Sequence, residues 1–391
     1  MINNSPNKQQ SAVSLISLFT SFLRLGTTSF GGPAMVAYIH KMAVEQKHWL
    51  DEESFRYGVA LCQTIPGATA MQTSAYVGLR VRGVAGALAS FIGFGLPAFI
   101  IMMTLSALYI RMYSLPTVIS AFNGLQAIIV AIVANATVSF GRTYLKKWRD
   151  MITAVITTGM LGLGVNPIMV ILLAALLGLV LYNRHTIPRQ TVNSESNSYV
   201  RPVLLILSIA MIGLIALFFV HHELFDLAMI MFKIDLFAFG GGFASIPLMF
   251  HEIVEVHSWM DGPTFLNGMA LGQVTPGPIV ITATFIGYLL YGPIGGAIAT
   301  MSIFLPSFLI IVGITPYFDR LRTSSYFNKI IGGILCSFVG LLLSVTIRFA
   351  LNIMWDFQHI ILTGASFVAL IFKVDILWVV LIGTIISVAI L

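Results

Sequence analysis

The sequence predicts an all-α polytopic membrane protein, on the basis of its composition, a succession of apolar stretches and an internal repeat. Of the 391 residues, 58% are hydrophobic and only 9% are charged, which leaves too little polar surface to cover a water-soluble globule. Apolar stretches follow one another from residue 12 to the C-terminus, and we count about thirteen candidate membrane segments. They fall at 12–30, 53–80, 83–110, 117–140, 151–165, 167–183, 203–221, 224–239, 263–291, 293–316, 327–350, 358–372 and 374–391.

Charge and cysteine content argue against several other classes of protein. The net charge of +6 comes from basic residues in short loops between apolar runs, a pattern typical of membrane orientation and not of nucleic-acid binding. Cys62 and Cys336 lie far apart in apolar segments, so we expect neither a disulfide nor a thiolate metal site. The stretch 251–257, HEIVEVH, lacks the HExxH spacing of a zinc site. We therefore expect no metal, no cofactor and no enzyme.

Two of the apolar segments are interrupted near their centres. Segment 53–80 contains the pair Pro66-Gly67, and segment 263–291 contains Pro-Gly-Pro at 276–278. A proline inside a helix removes a backbone hydrogen bond. Irregular backbone at membrane depth is tolerated only where protein buries it or where it lines a cavity. Each interruption is therefore a candidate binding site, and whether its segment crosses the membrane or re-enters stays open.

The two halves of the chain match each other with a shift of 209 or 210 residues. The matches are glycine, proline, aromatic, acidic and amide residues in one order, which predicts an internal duplication. The matched pairs are Phe30/Phe239, Gly31/Gly240, Gly32/Gly241, Glu45/Glu255, Trp49/Trp259, Asp51/Asp261, Phe55/Phe265, Gln63/Gln273, Pro66/Pro276, Gly67/Gly277, Gly78/Gly287, Gly83/Gly292, Gly86/Gly295, Pro97/Pro306 and Phe99/Phe308. We predict repeats at 12–183 and 223–391, with a polar tail at 1–11 and a cytoplasmic linker plus joining helix at 184–222.

The joining helix, 203–221, inverts the second repeat relative to the first. Most basic residues outside the repeated core lie on the side of the N-terminus, which places the N-terminus in the cytoplasm. Arg80 and Arg82 match the uncharged Leu289 and Tyr291, as expected if equivalent loops face opposite sides. Two inverted-topology repeats with broken or re-entrant helices recur in secondary transporters.

Arg24 and Lys233 are matched cations within apolar helices. Each lies seven positions before the first glycine of the FGG run in its half. A cation inside a membrane segment costs at least ~2.5 kcal/mol on insertion scales, so it normally faces a cavity, a partner or a ligand. We predict that both bind an oxyanion. The alternative, that they reach an interface or pair with a carboxylate such as Asp235, stays open.

The glycine runs and the interruptions add uncharged donors. Glycine allows close backbone approach, and proline at a helix start gives up an N–H group that has no helical acceptor. Gln63 and Gln273 precede the two interruptions by three residues and carry amide donors. The predicted substrate-binding set is Arg24, Lys233, Gly31, Gly32, Gly240, Gly241, Gln63, Pro66, Gly67, Gln273, Thr275, Pro276 and Gly277. Helix packing through small residues and interhelical hydrogen bonds are the alternatives.

Carboxylates recur beside the matched tryptophans. Glu45 and Glu255 are the proton-coupling candidates, since a titratable group that senses a cavity can respond to a proton gradient. For Asp51 and Asp261 we favour a role as helix N-caps.

Five motifs carry a resemblance to a known family: LRLGTTSFGGP (23–33), WLDEESF (49–55), FKIDLFAFGGG (232–242), ALGQVTPGPIVITATFIGYLLYGPIGG (270–296) and FLPSF (304–308). They resemble the chromate ion transporter family in its long, two-half form. The resemblance implies a multi-pass protein of the bacterial inner membrane that exports chromate with the proton motive force, using its FGG and PGP regions. The chain departs from the family pattern at PGAT (66–69), where the family tends to have PGP, and at Asp235, where it usually has glycine.

From the repeat and the resemblance we expect transport by alternating access. Two inverted broken-helix units would face one another near the midplane, and Arg24, Lys233 and backbone N–H groups would hold the oxyanion while the halves rock. Expected partners are chromate and the lipid bilayer. Sulfate, a near-isosteric dianion, stays open as a substrate, as do another solute, an anion channel and a homodimeric assembly.

Overall fold

The computed structural model describes residues 13–30, 34–181 and 200–390 of the protein. Regular secondary structure within these ranges is helical, with one isolated β-bridge between Pro66 and Phe239. The predicted polar tail, the glycines Gly31 and Gly32 and most of the predicted linker lie outside the described residues.

Sixteen α-helices account for most of the described residues. Two of them, α2 and α10, continue as π-helical turns at Lys41–Gln46 and His251–Val256. Short 3₁₀ turns lie at Gly242–Ala244, Ile279–Ile281 and Thr315–Tyr317. The helices are α1 (Leu15–Thr28), α2 (Ala34–His40), α3 (Glu52–Thr64), α4 (Thr69–Met112), α5 (Pro116–Tyr144), α6 (Trp148–Gly162), α7 (Pro167–Leu181), α8 (Val200–Val220), α9 (His222–Leu236), α10 (Ser245–Phe250), α11 (Gly262–Val274), α12 (Thr282–Ile314), α13 (Phe318–Thr323), α14 (Ser325–Leu351), α15 (Phe357–Ile371) and α16 (Ile376–Ile390).

Both predicted aspartate N-caps are confirmed. The Asp51 carboxylate accepts a hydrogen bond from the Ser54 N–H group at the start of α3 (2.6 Å). Asp261 accepts from the Thr264 N–H group at the start of α11 (2.8 Å). These bonds satisfy N–H groups that have no acceptor within the first turn of a helix. Equivalent positions in the two halves therefore begin equivalent helices.

The two interruptions are the tips of hairpins made of short helices. In the first half, α3 leads to the tip and residues 69–81, the short arm of α4, return beside it. The Tyr76 ring on this arm packs against Gly58 of α3, and its hydroxyl donates to the Ser54 carbonyl (3.1 Å). In the second half, the Phe285 ring packs against Gly268 in the same way. Each hairpin therefore begins and ends on one side, which is the geometry of a re-entrant segment.

Beyond each short arm the chain reverses direction at a sharp kink, where two residues leave the helical conformation. In α4 the reversal is at Gly83, whose φ of 62° favours glycine. Gly78 and Gly86 then face one another so closely that a Cβ on Gly78 would lie 2.2 Å from the Gly86 carbonyl oxygen. The Ser90 hydroxyl donates to the Ser74 carbonyl across the same contact (2.7 Å). The predicted segments 53–80 and 83–110 are thus joined without a loop.

In α12 the reversal is at Gly292, again with a φ of 62°. Gly287 and Gly295 make the close contact there, and the hydroxyls of Thr284 and Thr300 are 2.6 Å apart. After the reversal, residues 84–112 of α4 and 293–314 of α12 form a long arm in each half.

Each hairpin tip rests against the long arm of the other half. A Cβ on Gly67 would lie 2.1 Å from Ser307 Oγ, and a Cβ on Gly277 would lie 2.8 Å from the Ala98 Cβ. Ala98 is the central residue of the range 84–112, a helix long enough to cross a bilayer. The two tips therefore lie side by side near half the depth of the long arms.

The helices α5 and α14 pack against each other at the junction of the two halves. The hydroxyls of their matched residues Thr137 and Thr346 are 3.3 Å apart. Helices α6 and α7 pack on α14, and α15 and α16 pack on α5, so each half covers the central helix of the other. Five helical stretches of the described chain are long and apolar enough to cross a membrane, and three shorter ones are apolar. The stretches counted in the sequence therefore include hairpin arms as well as full-length helices.

Candidate functional site

A cavity of about 760 Å³ lies where the two halves meet. Its wall combines α2, α3, the start of α4 and the end of α5 from the first half with the glycine run and the second tip from the second half. Gly240, Gly241, Gln63, Gln273, Thr275 and Gly277 of the predicted substrate-binding set line this cavity.

The start of α4 points an electropositive helix end at the cavity. Ala68 is the N-cap residue, and Ala68, Thr69 and Ala70 line the wall. The first N–H groups of a helix have no acceptor within the helix, and the helix dipole adds partial positive charge at that end. Such a helix start binds anions without a charged side chain.

Arg56 contributes the cationic side chain of this cavity. It is exposed on α3 and lies two helical turns before Gln63, so that both side chains face the cavity from one side of the helix. Sequence reasoning from matched pairs missed Arg56, because its counterpart in the second half is the buried Leu266. The available signal was its spacing from Gln63 on the helix that leads into the first interruption.

The second tip presents a different side chain to the same cavity. Gln273 is 9% exposed, and its amide nitrogen Nε2 has no hydrogen-bond partner within the described part of the chain. A buried amide without a partner is costly unless a ligand or water satisfies it. Arg56, Gln63 and Gln273 thus bring donors from both halves to one space.

Two of the predicted backbone donors, and the neighbouring Ala68 N–H group, are already used within the protein. The Gly67 N–H group donates to the Ala238 carbonyl (2.9 Å), and the Gly277 N–H group donates to the Ser29 carbonyl (3.0 Å). Each tip is therefore bonded to the chain just before the glycine run of the other half. Ala68 N–H donates to Ser307 Oγ (3.0 Å). The free donors at the first tip are those of the helix start, not those of the interruption itself.

Polar side chains near the tips mostly hold the tips in place. Gln72 donates through Nε2 to the Pro66 carbonyl (2.6 Å), and Thr275 donates to the Leu271 carbonyl (2.8 Å). Thr282, which matches Gln72, donates to the Ile279 carbonyl (2.8 Å). These side chains are therefore bonded to the backbone of their own tips.

Arg24 and Lys233 do not come together at the tips in this conformation. Arg24 is exposed and lines a second cavity of about 650 Å³ between α1 and α2, together with Lys41 and Lys47. Lys233 pairs with the nearly buried carboxylate of Glu252 (2.8 Å). Its partner is therefore not Asp235, the carboxylate that the sequence suggested. The predicted convergence of two cations with both interruptions is not the arrangement found.

Glu45 and Glu255, the predicted coupling carboxylates, are equivalent in sequence but differ in surroundings. Glu45 is largely exposed and lies 3.4 Å from the ring of His40. Glu255 forms an ion pair with Arg348 and lies 2.9 Å from His251 Nδ1. Neither residue lines the cavity at the tips.

The side opposite the cavity is closed by an aromatic cluster. Phe250, Phe265 and Phe349 pack with ring centroids 5.1 to 6.1 Å apart and are at most 3% exposed. By the offset of 209 or 210, their counterparts in the first half are residues that line the open cavity. These counterparts are His40, Phe55 and Phe140. One sequence pattern thus forms an open vestibule on one side of the tips and a plug on the other.

Two similar halves, paired hairpin tips about half-way along the long arms and a cavity at their junction resemble the architecture of helical membrane transporters. A family model described as Chromate transporter matches the chain twice, over residues 16–179 and 225–388. The chain belongs to the chromate transporter family, in its two-half form.

Three relatives span nearly the same length as this chain. An uncharacterized transporter of Methanocaldococcus jannaschii is 42% identical over 97% of this chain and 95% of its own length. A probable chromate transport protein of Synechococcus elongatus is 30% identical over 84% of this chain and 83% of its own length. The chromate transport protein of Cupriavidus metallidurans is 28% identical over 90% of this chain and 86% of its own length. No solved structure matches the chain.

Proposed function

We propose that this protein carries chromate, or a closely similar tetrahedral oxyanion, across the membrane by alternating access. The observation that supports this most directly is the contrast between the two sides of the paired tips. One side opens into a cavity with a guanidinium, two amides and a helix start, and matched residues plug the other side. A carrier needs a site at mid-depth that is open to one side at a time.

The cavity has the chemistry of an oxyanion site. A dianion that leaves water needs several hydrogen-bond donors and positive charge to replace its hydration. Arg56, Gln63, Gln273 and the N–H groups of Thr69 and Ala70 offer these from three directions. We assign Arg56 the main charge-pairing role, and we assign Arg24 to the second cavity, where it would attract anions before they enter.

The hairpins support a specific topology. If α8 crosses the membrane, the two halves are inverted repeats, and their hairpins enter from opposite sides and meet at mid-depth. The positive-inside rule then places the N-terminus and the mouth of the open cavity in the cytoplasm. The two transporter halves are 12–183 and 223–391, the linker lies in the cytoplasm, and the membrane is the inner membrane of a bacterium. The conformation is then inward-facing, and export coupled to the proton motive force is the direction that the family resemblance implies.

Transport into inverted membrane vesicles tests this proposal. Vesicles that contain the protein should accumulate chromate with saturable kinetics, and excess sulfate should compete if the site recognises only charge and shape. An uncoupler should abolish accumulation above the external concentration. Flux that does not saturate and ignores the uncoupler would instead favour an anion channel. Equal accumulation in vesicles without the protein would reject the function.

A further inference from the structure

Asp235 is a buried carboxylate that the proposed transport site does not use. It lies near the end of α9, is 0% exposed, and stands where the first half has Gly26. Its Oδ2 atom accepts two hydrogen bonds from Ser307, one from the N–H group (2.8 Å) and one from the hydroxyl (2.7 Å). Its Oδ1 atom has no partner within the described residues. An ionised carboxylate buried in this way, with no cation beside it, is strongly disfavoured.

The contacts of Asp235 lead directly to the first tip. Ser307 Oγ donates to Asp235 and accepts from the Ala68 N–H group (3.0 Å), and Ala68 lines the open cavity. The chain Asp235–Ser307–Ala68 therefore connects a titratable group in the second half with the tip of the first half.

Within the described part of the chain this connection is present once. At the second tip the residue matching Ala68 is Pro278, which has no N–H group and needs no acceptor. The residue matching Ser307 is Ala98, which only contacts Gly277 through its Cβ. Asp235 and the Ala68 of the PGAT stretch (66–69) thus belong to one hydrogen-bonded unit. The Ala68 N–H group, which a proline would not have, needs an acceptor, and Ser307 alone would supply it. A buried acid beside Ser307 is not needed for that structural role.

Other charged groups near Asp235 do not neutralise it. On α9 itself, Lys233 is paired with Glu252, and His222, Glu223 and Asp226 lie more than two turns away along the helix. Elements packed against α9 carry few titratable groups. They are Tyr288 and Tyr291 on α12 and Arg201 on α8, while α10 carries none. The proton is the ligand that most simply removes the charge of this carboxylate.

We propose that Asp235 is a proton-binding site whose occupancy is tied to the position of the first tip through Ser307 and Ala68. In the described conformation the carboxyl group holds a proton and the tip is bonded to Ser307. When the tip leaves Ser307 and the carboxyl group becomes hydrated, the proton dissociates to water and leaves the carboxylate. This inference rests on the proposed transport function, because it assigns the coupling of that function to one residue.

The test uses the full-length protein in proteoliposomes and three variants. Asp235→Asn keeps an acceptor for Ser307 but cannot bind a proton. Asp226→Asn removes an exposed carboxylate from the same helix and is the matched control. Ser307→Ala cuts the connection to the tip, and alanine at the matched position 98 indicates that the helix tolerates it.

Infrared titration supplies a readout that needs no substrate. The carbonyl stretch of a protonated carboxyl group should be present in the unmodified protein and in Asp226→Asn, and one such band should be lost in Asp235→Asn. Ser307→Ala should keep the band, because the proton site itself remains. A spectrum of Asp235→Asn identical to that of the unmodified protein would overturn the assignment.

Transport driven by a pH gradient supplies the second readout. Asp235→Asn should bind chromate as the unmodified protein does but should lose the acceleration by the gradient, and Ser307→Ala should lose most of it. If Asp235→Asn is still accelerated by the pH gradient, the proposal is overturned. It is also overturned if the unmodified protein is accelerated by a sodium gradient and Asp235→Asn loses that acceleration instead. Loss of chromate binding in Asp235→Asn would show a structural role and overturn it as well. Absence of chromate and sulfate transport in the unmodified protein would reject the proposed function, while the infrared result would still decide the proton site.

Discussion

The two sides of the paired tips differ although the sequences that build them match. On the open side, His40, Phe55 and Phe140 line a cavity, and on the closed side Phe250, Phe265 and Phe349 fill the equivalent space. The local backbone is nearly the same in both halves, with matched caps, hairpins and glycine reversals. The difference therefore lies in how the repeats pack together, and this packing is what the proposed alternating access would have to change.

This comparison separates two kinds of residue in the molecule. Matched residues such as Gly67 and Gly277 perform the same task twice, because each tip needs a glycine that lies against the opposite long arm. Unmatched residues such as Arg56 and Asp235 occur in one half only. A symmetric scaffold can provide alternating access, whereas direction and coupling require asymmetry, so the unmatched residues are the ones to alter first.

The largest expected effect is a difference in thiol labelling between matched positions. Val59 lines the open cavity, and its counterpart Met269 is 1% exposed in the closed half. The native cysteines Cys62 and Cys336 are buried and should remain unlabelled. We expect an impermeant maleimide added to inverted vesicles to label Val59→Cys and to leave Met269→Cys unmodified. Equal labelling of both would contradict the assignment of an open and a closed side.

The next largest effect is expected from Arg56→Gln. Removing a hydrogen bond to a charged group costs about 1.5–3 kcal/mol, which corresponds to roughly tenfold or more in apparent affinity. Saturation of chromate uptake in inverted vesicles measures this change. Arg142→Gln, which removes an exposed cation at the end of α5, is the control and should leave affinity unchanged.

Arg24→Gln should reduce uptake less than Arg56→Gln and more than Arg142→Gln. The reduction should be seen at low salt, where long-range attraction is strongest.

Much of the fold could be predicted from the sequence, because the two halves repeat the same motifs. Two copies of FGG, of the proline interruption and of the acidic cap made each feature easy to recognise. The hairpin geometry could not be predicted, because a short apolar helix has the same composition whether it crosses the membrane or returns. Tyr76 packing on Gly58, a contact between distant residues, is what distinguishes the two.

The candidate site was predicted less well, and for the opposite reason. Reasoning from matched pairs selected Arg24 and Lys233, and it passed over Arg56 because its counterpart is Leu266. The pairing of Lys233 with Glu252 was also hidden, because the residue matching Glu252 in the first half is Met42. Residues that occur in one half only cannot be found by comparing the two halves. Their partners become apparent only when the packing of the halves is known.

A smaller effect, on stability, should distinguish close packing from backbone strain. Gly67 and Gly164 both have positive φ, of 117° and 80°, but a Cβ on Gly164 would meet nothing within 4 Å. Overpacking typically costs about 1–3 kcal/mol beyond the strain of the conformation. Thermal unfolding in detergent should therefore show a larger loss for Gly67→Ala than for Gly164→Ala. Equal losses of stability would mean that the Ser307 side chain can move aside and that the first tip is loosely packed against the long arm of α12.

The smallest effect concerns the matched caps Asp51 and Asp261, which should behave alike on the open and the closed side. Removing an N-cap costs about 0.5–2 kcal/mol, and because Asp51 is exposed we expect the lower part of that range. The Ser54 N–H group holds the pKa of Asp51 below its ordinary value of 3.8. A lowered folded-state pKa means that the contribution of the cap to stability is complete above the ordinary pKa and is lost as the pH falls through the lowered pKa.

Asp51→Asn keeps a capping oxygen at every pH, so its unfolding temperature should lose this acid dependence. Asp51→Ala and Asp261→Ala should each be slightly less stable than the unmodified protein at neutral pH. A much larger loss for one of these two alanine variants would show that the open and closed sides already differ at the level of single helices.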